Sequence, residues 1–127
     1  MDSLSPEEIA AMSHKIVFIV TREGLGYMDG ADRAFGVEMF DRFLHSLENQ
    51  PVKPQAICFY TEGVKLVSQD STIALSLRLL HGMGVRIVAC RTCLEHFGLI
   101  DKPVVGEIAG MNDILSLMTE AEKVIPV

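Results

Sequence analysis

The hydrophobic pattern changes period several times along the chain, and each change marks an element. Lys15-Ile16-Val17-Phe18-Ile19-Val20-Thr21 is almost continuously apolar and β-branched, the pattern of a strand buried on both faces of a parallel sheet. From Ala34 to about Glu48 the spacing turns helical, with Phe35, Met39, Phe40, Phe43, Leu44 and Leu47 on one face and Pro51 and Pro54 closing the element. Gln55-Ala56-Ile57-Cys58-Phe59-Tyr60 is a second buried strand, broken at Thr61-Glu62-Gly63 into a loop that holds Lys65. Ser68-Gln69-Asp70-Ser71 offers N-caps for a second helix through Ile73, Leu75, Leu77, Leu79, Leu80 and Met83, which Gly82 and Gly84 end.

The third apolar run, Val85-Arg86-Ile87-Val88-Ala89, stops at Cys90-Arg91-Thr92-Cys93, and a short helix is expected from about Cys93 to Phe97 before Gly98. Val104-Val105-Gly106 reads as a brief fourth strand. A helix from Gly110-Met111-Asn112-Asp113 through Met118 follows, and Lys123-Val124-Ile125-Pro126-Val127 reads as a fifth strand at an edge, because Pro126 has no N–H to give a ladder. At the other end, Ser5-Pro6-Glu7-Glu8 has the form of a capping box for a helix to about Ser13. Strand and helix alternate, so right-handed crossovers predict a parallel sheet covered on both faces. Its ligand crevice belongs at the carboxyl ends of the strands, where Arg22 to Asp32, Thr61 to Asp70 and the segment around Arg91-Thr92 converge. The glycine-rich loop from Arg22 to Arg33 is expected to order late or on binding, and its Leu25, Tyr27 and Met28 suit a contact surface or lid.

Composition narrows the class. At 127 residues, with 49% hydrophobic and 22% charged, the chain reads as one domain over 1–127 with residues 1–14 as an N-terminal helical extension. A net charge of -6 with scattered basic residues argues against a nucleic-acid backbone as partner. No apolar run reaches the roughly 18 residues that cross a bilayer, and the acidic N-terminus Met1-Asp2-Ser3-Leu4-Ser5-Pro6-Glu7-Glu8 is unlike a signal peptide. A cytoplasmic protein without a membrane partner is expected. Three cysteines, two of them spaced CxxC, make a poor disulfide framework and point to a reducing compartment with free thiols.

The candidate chemistry therefore sits at Cys90 and Cys93. A cysteine where a strand runs into a helix start is near unpaired N–H groups and a partial positive charge, which favour thiolate. The plain alternative is that Cys90 is a small core hydrophobe at a strand end. A thioredoxin-like dithiol would also place CxxC after a strand, but that fold's proline-bearing partner loop is not apparent. Zinc needs about four ligands, and Cys90, Cys93 and His96 supply three, so no metal is expected. Gly24-Leu25-Gly26 lacks the third glycine of a dinucleotide loop, where this chain has Asp29, so no cofactor is expected either. Cys58, mid-strand between Ile57 and Phe59, reads as core.

Phe59-Tyr60-Thr61-Glu62-Gly63-Val64-Lys65-Leu66, Gly84-Val85-Arg86-Ile87-Val88-Ala89-Cys90-Arg91-Thr92-Cys93-Leu94, Val105-Gly106-Glu107-Ile108 and Met111-Asn112-Asp113-Ile114 together resemble the DsrE-like family. Within it the nearest resemblance is to the C-terminal domain of YedF, a sulfurtransferase-like protein linked to selenium metabolism. The likeness covers residues 55–127 well and the first strand by pattern. It implies a three-layer α/β/α, flavodoxin-like (DsrE/DsrF-like) fold with a five-stranded, mainly parallel sheet, often assembled as trimers or hexamers. It also implies an active cysteine that carries sulfur as a persulfide directly after the third strand, eight residues before a glycine, as Cys90 stands before Gly98. Cys93 matches the second cysteine of the CxxC-bearing branch, while Arg91 replaces its usual glycine and the Arg22 to Asp32 loop departs from its pattern. The expected function is sulfur handling by a sulfurtransferase or carrier, with Cys90 as carrier and Cys93 as resolver or bystander. Arg91, Thr92, Thr61, Glu62 and Lys65 are the expected supporting residues, and sulfur donors and acceptors, proteins or small thiols, the partners. The alternative is a non-catalytic oligomeric module of the same fold that binds a small ligand.

Overall fold

In the computed structural model, which describes residues 3–127, the first element is set by its cap. Ser5 Oγ accepts the Glu8 N–H at 3.1 Å and the Glu8 carboxylate accepts the Ser5 N–H at 3.0 Å, so helix α1 runs Pro6–Ser13. The Ser5 backbone donor, and after it the Ser5 side chain, hold the Glu8 carboxyl below its ordinary range. α1 buries none of its residues and lies beside Pro54, Gln55 and Met83. Met1 and Asp2, part of the expected extension, lie outside the described residues.

Five strands make one sheet: β1 Ile16–Val20, β2 Ala56–Phe59, β3 Arg86–Cys90, β4 Glu107–Ala109 and β5 Lys123–Pro126. All pairs are parallel, in the order β4-β3-β2-β1-β5. The helices are α2 Arg33–Glu48, α3 Ala74–Gly82, α4 Arg91–His96 and α5 Met111–Glu120. The steps from β1 to β4 all move one way and the step from β4 to β5 returns across the sheet. Right-handed crossovers then put α2 and α3 on one face and α5 on the other, which makes the fold a three-layer α/β/α arrangement.

Side-chain alternation follows from the register. Phe59 meets Phe40 of α2 edge-on at 6.2 Å between ring centroids, and Phe18 lies 5.7 Å from Phe43, so the α2 face carries Phe18, Val20, Phe59, Ile57, Ile87 and Ala89. The opposite face carries Val17, Cys58, Val88 and Cys90 beneath Ile114 and Leu117, the buried residues of α5. The expectation that β1 is buried throughout on both faces is corrected: Val17 and Val20 are buried, while Ile16, Phe18 and Ile19, in the strand next to the edge strand β5, are only partly so.

Three expected elements move, each for a local reason. Thr61–Leu66 is a 3-10 helix rather than a loop, with Val64 and Leu66 buried. Val104-Val105 does not join the sheet: the Val105 N–H goes to the Val67 carbonyl at 2.8 Å, Val104 bridges Ser68, and β4 begins only past Gly106, whose φ of 88° suits glycine. Ser68 and Ser71 cap turns instead of α3; Ser71 Oγ accepts the Ile73 N–H at 3.1 Å. The loop before α2 is tied to that helix: the Leu25 N–H donates to the Gly36 carbonyl at 2.9 Å, and Gly24 packs on the Gly36 backbone so closely that a Cβ would lie 2.7 Å from its carbonyl carbon.

Cys58 is core, fully buried, and burial pushes its thiol up to about 11 from an ordinary 9.0, with Arg86 opposing and Glu107 adding to the rise. A folded pKa above the unfolded one gives stability that is intact below pH 9.0 and lost as the pH rises toward about 11, a contribution on the order of 3 kcal/mol. Urea titrations at stepped pH should therefore show a steeper loss between those limits in the native protein than in Cys58→Ala. Parallel curves for the two would contradict it.

Candidate functional site

β3 passes into α4 without a linker. Cys90 is both the last residue of the strand and the N-cap of the helix, at φ -70° and ψ 122°, and α4 starts at Arg91, two residues before the expected start. Fully buried Leu94 fixes the helix to the core. The helical turn from Cys90 to Cys93 puts the two side chains at neighbouring positions on one side of the helix start. Cys90 is 2% exposed and Cys93 is half-buried. Both are free thiols.

The neighbouring strand supplies a third group. Two residues past the end of β2, Thr61 takes a left-handed backbone (φ 50°), the only non-glycine to do so among the described residues. For a β-branched residue that conformation is an outlier that its surroundings must enforce. Here its hydroxyl lies 2.9 Å from the Thr21 carbonyl and 2.7 Å from the Tyr60 carbonyl, and its N–H donates to Cys93 Sγ at 3.0 Å. Gly63 completes the turn: a Cβ there would overlap the Val20 carbonyl oxygen, so only glycine lets the 3-10 segment lie against the end of β1.

At Cys93 the resting electrostatics run against a thiolate. Burial raises the Cys93 thiol above its ordinary value, and the neighbouring Cys90 sulfur adds to the rise, while the Thr61 N–H works against it. α4 has only six residues, and burial outweighs the donor. Cys93 rests as a thiol that already faces a donor suited to its anion.

Of the expected supporting residues, Thr61 alone is brought to the sulfurs. Arg91 and Thr92 are exposed, and among the described residues no hydrogen bond or ion pair joins Arg91 to either cysteine. Lys65 turns away: its ammonium lies 4.6 Å from the Phe97 ring centroid and 4.0 Å from a Glu23 oxygen. Glu62 lines a separate recess with Arg22, Tyr27 and Arg33. A cleft of about 600 Å³ among Glu23, Val37, Asp41, Lys65 and Asp70 contains neither cysteine. His96 is exposed and stacks edge-on against Phe97 at 4.9 Å, and no group of three or more His, Cys, Asp or Glu among the described residues is arranged to hold a metal ion. Thr21 and Val20 were not singled out by sequence; the Thr-Glu-Gly triplet after a buried strand was the available signal for a tight turn against the preceding strand.

The parallel sheet with a CxxC pair where an interior strand enters a helix defines an α/β protein with a dithiol at its crevice end. The profile of the DsrE/DsrF-like family matches residues 9–127, so the chain belongs to that family, which is associated with sulfur relay. Three solved structures share the fold. The YchN protein from E. coli is 17% identical over 89% of this chain and 99% of its own, with a TM-score of 0.62. A protein of unknown function from Methanobacterium thermoautotrophicum is 22% identical over 88% and 97%, with a TM-score of 0.59. A conserved protein of unknown function from Bacteroides thetaiotaomicron is 20% identical over 91% and 97%, with a TM-score of 0.60. No curated protein matches the chain. No helix among the described residues is long and apolar enough to cross a membrane.

Proposed function

We propose that the protein carries sulfur in the cytoplasm as a persulfide on Cys90, with Cys93 in support. The observation that carries this reading is the pair of free cysteines one helical turn apart at the end of β3, one of them accepting a backbone N–H. A site thiolate attacks the outer sulfur of a donor R–S–SH: the donor's S–S bond breaks, a new one forms, and R–S⁻ leaves and takes up the proton. At 2% exposure, Cys90 would keep the stored sulfur from bulk thiols. An acceptor thiolate takes the outer sulfur onward. Alternatively Cys93 attacks the inner sulfur, releasing HS⁻ and leaving a Cys90–Cys93 disulfide that a small thiol reduces. A module that only binds a ligand has no chemical need of the two thiols.

Donor and acceptor in this reading are proteins or small thiols, and the working form is a homo-oligomer, a trimer or hexamer. A light-scattering mass of one 14.0 kDa chain across a wide concentration range would remove the oligomer. Sulfur carriage is tested by incubating the protein with a low-molecular-weight persulfide, desalting, and measuring sulfane sulfur by cold cyanolysis. Stoichiometric sulfur is expected in the native protein and none in the Cys90→Ser/Cys93→Ser double variant. Equal, trace sulfur in both would overturn the reading.

A further inference from the structure

The two sulfurs are not equivalent in their surroundings. Cys93 is half-buried and stands next to exposed Thr61, whereas Cys90 is 2% exposed behind it. A donor arriving from solvent meets Cys93 first. Among the described residues the one backbone N–H that donates to a cysteine sulfur donates to Cys93, where a charge-assisted N–H···S⁻ bond would stabilise the anion twice, as attacking nucleophile and again as leaving group. That donor exists only because Thr61 is held left-handed, its hydroxyl against the Thr21 and Tyr60 carbonyls and Gly63 pressed on Val20.

We propose that Cys93 is the loading thiol, taking the donor's sulfur first and passing it inward to Cys90, and that Thr61 is its positioning residue. This rests on the sulfur-carrying reading and assigns its order. In the first step Cys93–S⁻ attacks the outer sulfur of R–S–SH, giving Cys93–S–SH and R–S⁻. In the second, Cys90–S⁻ attacks the outer sulfur of Cys93–S–SH, giving Cys90–S–SH and Cys93–S⁻, which takes the proton Cys90 has lost. No sulfur is oxidised or reduced overall, and no further reactant is needed.

The chain makes the order readable. Trypsin cuts after Arg86 and Arg91 but not between Lys102 and Pro103, so Cys90 falls on the peptide 87–91 and Cys93 on the peptide 92–123. The native protein is mixed with a small-molecule persulfide, quenched with an alkylating agent at successive times and digested. Sulfur should appear on the Cys93 peptide before the Cys90 peptide, stay on Cys93 in Cys90→Ser, and load onto Cys90 at least about tenfold more slowly in Cys93→Ser. Replacing the Thr61 amide by an ester, through incorporation of the α-hydroxy analogue, removes the N–H and keeps the side chain. Loading should slow about tenfold and its pH profile move to higher pH, an effect that a purely structural role would not produce. Sulfur reaching Cys90 first, native-rate loading in Cys93→Ser, or an ester with an unmoved pH profile would overturn the order while leaving sulfur carriage standing. Absence of sulfur from both peptides of the native protein would overturn both.

Discussion

Gly63→Ala is expected to lower stability by at least about 3 kcal/mol and to reduce sulfur loading at Cys93 more than tenfold. The added methyl has no room, because it would overlap the Val20 carbonyl oxygen and lie 2.8 Å from the carbonyl carbon, both backbone atoms that no rotamer change can move. Either β1 shifts, against its pairing with β2 and β5, or the 3-10 segment lifts away. The second route is shorter, and it takes Thr61 with it, two residues upstream. Cys93 then loses the N–H that offsets its burial. Urea unfolding and the site-resolved loading assay read the two effects; a variant with native stability and native loading would contradict the packing described for this turn.

Leu44→Ala should cost about 2–5 kcal/mol through a core cavity and leave loading within twofold of native at temperatures where the variant is folded. Leu44 is fully buried and sits three helical turns after Arg33. α2 returns from the carboxyl end of β1 to the amino end of β2, so its later turns lie away from Thr61 and the cysteines. Setting this variant beside Gly63→Ala separates loss of fold from loss of site. Loading that collapses in both in proportion to stability would mean that Thr61 and Gly63 have no special place in the chemistry.

Much of this fold was legible because buried parallel strands announce themselves. Runs such as Ile16–Val20 and Ala56–Phe59 have few other uses, and the capping box at Ser5 formed as written. What the pattern could not carry was contact between distant segments. Gly63 looks like any turn glycine until Val20 is placed against it, and Val104-Val105 looks like a strand until Val67 and Ser68 claim its hydrogen bonds. The site divides the same way. Cys90 and Cys93 are neighbours by helical spacing and could be paired from sequence alone, whereas Thr61 reaches Cys93 from 32 residues away through an unusual backbone angle. Arg91 and Lys65 attracted notice for their charge, yet Arg91 is exposed and Lys65 is committed to Phe97 and Glu23.

The central claim is that sulfur is held on the CxxC pair. The most direct measurement is the intact mass of the native protein and of Cys90→Ser, Cys93→Ser and Cys58→Ala after exposure to a persulfide donor and desalting. The account predicts a gain of one sulfur atom in the native protein, in Cys58→Ala and in Cys90→Ser, where it stays on Cys93, and a sharply slowed gain in Cys93→Ser. An unchanged mass in the native protein, or a gain that disappears only in Cys58→Ala, would contradict it.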